Sequence, residues 1–360
     1  MKKQQTQKPI AATALTFLLF GLTACQTTHQ TSTKTENSGE STTKPTSAAS
    51  LPGKGVTMTA AYNTPGQRFI AEVFDMGLEK LGYQVNPKLL APALMYAALA
   101  NGEVNFSPTH VDAFAPFFKN KEVEKKIEIV GLITPNGLQG YQIDKKTADQ
   151  YKITKIDQLK DPKIAKIFDT DGDGKANLSG CPAGSGCDED INYHLKTYGL
   201  QATVKQDQAD LVALLSNVIA NYKQGKPVLL YSWTPSWQNT VLKIDKDVVW
   251  LEVPFTAMRE QQGKFTEKDT TVNGKNLGFP VDKYRVVANK EFLAANPAAK
   301  RLFEQIQISN DDLSAELYRT YEGKSKPEEV RQRAEEWIKK NQKLFDSWVE
   351  EARKAGKAAG

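Results

Sequence analysis

The sequence predicts an α/β protein of two lobes, on three observations. Strand and helix patterns alternate in two separate stretches of the chain, the mark of sheets covered by helices. The strands of the second stretch are apolar almost without interruption, as strands buried on both faces are. About 310 residues remain once a leader and a polar stretch are set aside, enough for two hydrophobic cores.

The first alternation opens with a strand at Val56–Tyr62. Helical spacing follows from Gln67, with Phe69, Ile70, Val73, Phe74, Leu78 and Leu81 on one face and Gly82 as its stop. A strand at Tyr83–Val85, a helix at Leu94–Ala100 ended by Gly102, and a strand at Val104–Ser107 complete it. The second has a helix over Leu211–Tyr222 and strands at Val228–Tyr231 and Val248–Val253. Beyond Gly278-Phe279-Pro280, a strand at Arg285–Ala288 and a helix through Ala298–Ile306 resume the pattern. At the end, Ser325 and Glu328 read as a capping box, and Val330, Ala334, Trp337, Ile338, Phe345, Trp348 and Val349 keep helical spacing. That stripe reads as core packing, and no internal repeat is visible.

Compartment decides what the cysteines can do. Lys2, Lys3 and Lys8 flank an apolar run, Ile10–Leu22, which is short for a membrane span and reads as a secretory signal. It ends in Leu22-Thr23-Ala24-Cys25, which resembles the lipobox of bacterial lipoproteins. The resemblance implies lipidation of Cys25; ordinary signal cleavage is the alternative. Residues Gln26–Ser50 hold no large apolar side chain and read as a disordered tether, with an end-to-end distance of about 25–30 Å. Of three cysteines, Cys181 and Cys187 then remain as a pair outside the reducing cytosol. A bridge over so short a loop is worth about 2 kcal/mol in the chain-entropy model. Its spacing is not C-x-x-C, so it reads as structural.

Charge and motifs exclude whole classes. The formal charge is +5, about +2 without the leader lysines, and no basic stripe of the kind nucleic acid requires is present. The three histidines are His29, His110 and His194, and the chain lacks a G-x-S-x-G elbow, an H-E-x-x-H helix and a phosphate loop. Ser185 in "AGSGC" lacks the elbow's spacing, and His194 in "DINYHL" reads as a packed or surface helix histidine. A two-lobed α/β protein without a catalytic set points to binding and delivery.

One loop, "DTDGDGKANLSGCPAGSGC", carries several chemistries. Asp169, Asp171, Asp173 and Gly174 match positions 1, 3, 5 and 6 of an EF-hand-type calcium loop, with Asn177 at position 9. Position 12 is Gly180, so Asp188 or Glu189 would have to close the shell. The expectation is a structural calcium; a solvated Asp/Gly turn is the alternative.

From Leu51 onward the strings "LPGKGVT", "LEKLGYQVN", "LANGEVNF", "QGYQIDKKTADQYKIT", "QLKDPKIAKIFDTDGDGKANLSGC" and "YKQGKPVLLYSWTPSW" carry a resemblance. So do "KDVVWLEVPF", "VVANKEF", "NPAAKRLF" and "WIKKNQKLFDSWVEEA". The chain resembles the glycine betaine-binding proteins of ProU-type ABC importers, the ProX group. That implies a two-lobed periplasmic-binding-protein fold of type II character, with hinges near Asn136–Tyr141 and Asn276–Pro280 and a ligand cleft between the lobes. The expected division is a signal over 1–25, a tether over 26–53, lobe I over 54–138 and 278–360, and lobe II over 139–277. The implied partners are an ABC permease and its ATPase, with the body exported and lipid-anchored; no cofactor is required.

The family holds a trimethylammonium group between tryptophan faces by cation–π attraction, and its carboxylate on a histidine and backbone amides. Here the resemblance places the first cage tryptophan on Val111, the second on Ser185, and the histidine on Ala115. It keeps the third tryptophan as Trp233 and the amide positions as Gly186 and Cys187. The "AGSGC" run is thus expected to be an anion cradle; a disulfide-stapled glycine turn is the alternative. His110 stands one helical turn from the lost histidine, and Phe106, Phe114, Tyr141, Tyr231 and Trp237 are neighbours able to rebuild a wall. The expected function is capture of a small zwitterionic osmolyte for an importer. The alternative is a surface-anchored lipoprotein of the same fold that has lost transport.

Overall fold

The computed structural model describes residues 51–110, 121–260 and 263–358. The signal, Cys25 and most of the tether, together with Val111, Phe114 and Ala115, lie outside the described residues. Ten strands build two sheets. The first holds β1 (Thr57–Tyr62), β2 (Gln84–Leu89), β3 (Phe106–His110), β4 (Ile127–Gly137) and β10 (Asp282–Asn289), in the order β2-β1-β3-β10-β4. The second holds β5 (Gln139–Asp144), β6 (Ala176–Ser179), β7 (Val204–Asp207), β8 (Leu229–Trp233) and β9 (Val248–Leu251), in the order β7-β6-β8-β5-β9. Both belong to one compact unit, Ala49–Gly360.

Each sheet is mixed rather than parallel throughout. β1 runs parallel to β2 and β3, and β6 to β7 and β8. β10 is antiparallel to β3 and β4, and β5 to β8 and β9. The antiparallel members include the strands at which the chain changes sheets. β4 ends at Gly137 and β5 begins at Gln139, so Leu138 alone separates them. The return covers residues 277–281 and enters β10 at Asp282, which pairs with Gly137. The two crossovers therefore lie side by side.

The helices form where the apolar spacing says, with informative exceptions. α1 (Arg68–Lys80) buries Phe69, Ile70, Val73, Phe74 and Leu78. α2 (Pro92–Asn101) starts on Pro92 and stops at Gly102, whose φ of 79° only glycine adopts freely. β2 extends to Leu89 through Pro87, which is tolerated because β2 is an edge strand with one side unpaired. The capping box at Ser325 is corrected: Lys326 is the N-cap of the helix that follows, without a side-chain cap bond, and Pro327 sets its start. The C-terminal stripe divides between α7 (Pro327–Lys340) and α8 (Gln342–Ala358), both packed on α1.

The core under the first sheet joins α1, α5 (Pro297–Gln305), α6 (Asn310–Tyr321), α7 and α8. At its centre Phe74, Phe106 and Phe303 pack at tilted angles with ring centroids 4.5–6.2 Å apart. Phe106 is fully buried there, which removes it from the residues able to wall a ligand. β4 approaches α5 so closely that a Cβ at Gly131 would stand 2.0 Å from the Phe303 carbonyl oxygen. The second core joins sheet II to α3 (Gly186–Thr197), and a satellite cluster lies under α4 (Leu211–Lys223). Among the described residues no helix is long and apolar enough to cross a membrane.

Candidate ligand-binding site

Trp233 is the last residue of β8 and pairs with Gln139, the first of β5. One residue further on, the Thr234 amide donates to the Leu138 carbonyl at 2.8 Å and the Leu138 amide donates to Thr234 Oγ1 at 2.9 Å. Trp233 is thereby fixed beside the first crossover. It is half-buried, its ring lies 5.9 Å from that of Tyr231, and Asn239 Nδ2 donates to its carbonyl at 2.9 Å. Tyr231 is anchored in turn by donating its hydroxyl to Gln139 Oε1 at 2.8 Å and by packing on Phe279 of the second crossover at 5.4 Å.

Because β6 and β8 are adjacent and parallel, the loop after β6 emerges at the same sheet edge as Trp233. This loop holds the Cys181–Cys187 disulfide, with Cα atoms 6.0 Å apart, and leads into α3. Ser185 is the N-cap: its Oγ accepts from the Asp188 amide at 3.4 Å and donates to the Pro182 carbonyl at 2.6 Å. Gly186 and Cys187 occupy the first turn, where amides have no intrahelical acceptor and form the positive end of the helix dipole. Cys187 and Trp233 border the same hydrophobic cluster. The S-x-x-D pattern at Ser185–Asp188 is a start signal visible in the sequence that the reading of Ser185 as a lost wall passed over.

Asp188 organises this loop. Its Oδ2 accepts from the Gly184 amide at 2.8 Å, and its Oδ1 from Asn192 Nδ2 at 2.9 Å, Gln208 Nε2 at 2.6 Å and Gln206 Nε2. Burial pushes the carboxyl up, but the Gly184 amide and the three carboxamides outweigh it and hold its pKa below the usual range. Glu189 and Asp190 pair with Arg259. Asp188 and Glu189 thus have their partners around α3 rather than in the acidic loop.

In that loop, ligand oxygens of Asp169, Asp171 and Asp173 lie within 4.8 Å of one another. Asp169 accepts from the amides of Gly172 and Gly174 at 2.7 and 2.9 Å. The Lys205 ammonium bridges Asp171 and Asp173, and lowers the pKa of both. Asn177, on β6, accepts from the Thr170 amide at 2.8 Å and donates to Asp207 at 2.9 Å. The three carboxylates could hold a metal ion, and Lys205 is the cation paired with two of them in this structure.

Of the neighbours able to rebuild a wall, Tyr231 sets its ring against that of Trp233 at 5.9 Å. Trp237 stacks on Tyr321 at 3.9 Å, and Tyr141 is fully buried. His110 is described by its backbone, paired with Tyr284 at the end of β3. His194 is a packed histidine, 1% exposed. Its Nε2 lies 2.6 Å from the Ala257 carbonyl, which can only accept, so Nε2 carries the proton. Nδ1 then accepts from the Tyr141 hydroxyl at 2.9 Å. Burial pushes the ring's pKa down to about 4, so it is neutral at physiological pH.

Two mixed α/β sheets joined by paired crossovers define a two-lobed substrate-binding protein. The chain belongs to the family described as the substrate binding domain of ABC-type glycine betaine transport systems, whose model matches residues 57–340. It is 43% identical over 319 residues to the glycine betaine/proline betaine-binding periplasmic protein of Escherichia coli K12, covering 87% of this chain and 94% of that one. In fold it is similar to the glycine betaine, L-proline-binding protein ProX of Borrelia burgdorferi, with a TM-score of 0.56 at 18% identity over 83% of this chain and 99% of that one. It is likewise similar to lactococcal OpuAC in its closed form with glycine betaine, with a TM-score of 0.54 at 17% identity over 82% and 99%. It is thus an exported binding component of an ABC importer and not an enzyme.

Proposed function

We propose that this protein captures a small zwitterion of the glycine betaine or proline betaine type between its lobes and delivers it to an ABC permease. Lobe I then comprises 54–138 and 278–360, and lobe II 139–277, a division supported by which strands enter which sheet. The observation that carries the reading is the pairing of Trp233, fixed at the crossover, with the first-turn amides of α3 at the same edge of sheet II. The ring face serves a cationic head, and Gly186 and Cys187 serve a carboxylate. The lipoprotein that has lost transport finds no support in the family relationship.

Two cage walls are replaced, by Val111 and Ser185. Each lost face costs on the order of 1 kcal/mol for a desolvated quaternary ammonium, which together weakens binding about tenfold to a few hundredfold. The tightest ligand is then another zwitterion, such as proline or a different betaine. We further propose that Cys25 carries a lipid and that residues 26–53 hold the body close above the membrane. A Cys25→Ala protein is expected to leave the membrane fraction; equally firm retention would contradict the anchor. The ligand reading is tested by titrating glycine betaine while following tryptophan fluorescence. The wild type is expected to respond and Trp233→Ala to lose binding altogether; retained binding in Trp233→Ala would remove Trp233 from the site.

A further inference from the structure

His194 stands where three parts of the molecule meet. It sits on α3, eight residues after Gly186. Through Nδ1 it accepts from Tyr141, on the strand that follows the first crossover. Its ring packs 4.8 Å from Phe279 of the second crossover. Neighbouring Gly278 has φ +84°, and a Cβ there would come within 3.4 Å of His194 Cε1. Through Nε2 it donates to Ala257, in the segment that also holds Arg259 against Glu189 and Asp190 of the same helix. Phe279 in turn packs on Tyr231, and Tyr231 on Trp233.

We propose that His194 is a positioning residue for ligand capture, which locks α3 to both crossovers so that the Gly186 and Cys187 amides hold a fixed aim relative to Trp233 as the lobes move. The proposal rests on the reading of those amides as the carboxylate site. Its physical content is directional. A neutral ring that donates on one side and accepts on the other fixes the azimuth of α3, whereas packing alone would let the helix rotate. A ligand with a charge at each end senses such a rotation as a mismatch between its two contacts.

The test uses the full folded protein, with glycine betaine and choline as calorimetric probes. His194→Phe keeps a ring in the packing and removes both hydrogen bonds. His194→Gln can donate to Ala257 and accept from Tyr141 again. Glycine betaine affinity is expected to fall tenfold or more in His194→Phe and to return within about threefold of wild type in His194→Gln. Weak choline binding, which uses no carboxylate contact, is expected to stay unchanged. Tyr141→Phe removes one of the two bonds without touching the ring and is expected to weaken glycine betaine severalfold, so the proposal stands or falls even if His194→Phe does not fold. Glycine betaine affinity at the wild-type level in Tyr141→Phe and His194→Phe would overturn it. So would equal loss for both probes, or loss in His194→Gln that follows its melting temperature. If wild type and every variant failed to bind glycine betaine, the ligand reading itself would fall, which is a different result.

Discussion

Ser185 carries two roles whose demands conflict. In the proposed site it replaces an aromatic wall, and it caps α3. Ser185→Trp is therefore expected to raise glycine betaine affinity roughly tenfold, by restoring one face, and to lower stability by about 1 kcal/mol, by removing the cap. Calorimetry and thermal unfolding read the two effects separately; a gain in affinity with no loss of stability would mean the cap bond is idle. Lys205 carries a second residue-scale expectation. Calcium could reach Asp171 and Asp173 only by displacing the ammonium between them. A chelator should leave the melting temperature of the wild type unchanged, whereas Lys205→Gln should gain stability on adding calcium. A chelator-induced fall in the wild type would contradict this. At His194, burial depresses the folded-state pKa from 6.5 to about 4, so its contribution to stability is fully present above about pH 6.5 and fades as the pH falls towards 4. The loss is on the order of 3 kcal/mol, and it should be absent in His194→Gln, measured by denaturant unfolding across that range.

At the scale of elements, apolar spacing was a good guide wherever one face carries the core. The α1 stripe needed only its period to be read, and the Val228–Tyr231 strand only its unbroken apolar run. What escaped was decided by partners distant in sequence. β5, "QGYQID", looks like a polar segment, yet it lies between β8 and β9 because the crossover delivers it there. α3 opens on "GCDEDINYH", whose apolar content is low; its cap, the disulfide and Asp188 fix its start, and Ile191 and Leu195 alone carry its regular apolar face into the core. Ser325 misled because Pro327 outranks a side-chain cap in setting where a helix begins. The Phe74–Phe106–Phe303 triad joins three elements, and Phe303→Ala should cost about 3–5 kcal/mol in chemical denaturation. A loss under 1 kcal/mol would mean that the core closes over the gap. Thiol titration of the native protein should find Cys181 and Cys187 unreactive.

For the whole molecule, the architecture follows from where the chain changes sheets. Leu138 and residues 277–281 are the two adjacent passages, and both touch the strand that ends in Trp233 or the cluster behind it. Half of the proposed site could be named from the sequence, since Trp233 sits in a string shared with the family and the "AGSGC" run offers the Gly186 and Cys187 amides. The other half could not, because Asp188 and His194 act through Gly184, Gln208, Tyr141 and Ala257, contacts that no local pattern announces. In the proposed site, ligand preference is a property of the whole arrangement, with one aromatic face, two helix-start amides and two walls replaced. The measurement that tests it most directly is a calorimetric comparison of glycine betaine, proline betaine, choline, carnitine, ectoine, proline and taurine on the wild-type protein. The account predicts that a carboxylate-bearing zwitterion other than glycine betaine binds tightest and that choline binds poorly. Submicromolar glycine betaine binding that exceeds all the others would contradict it.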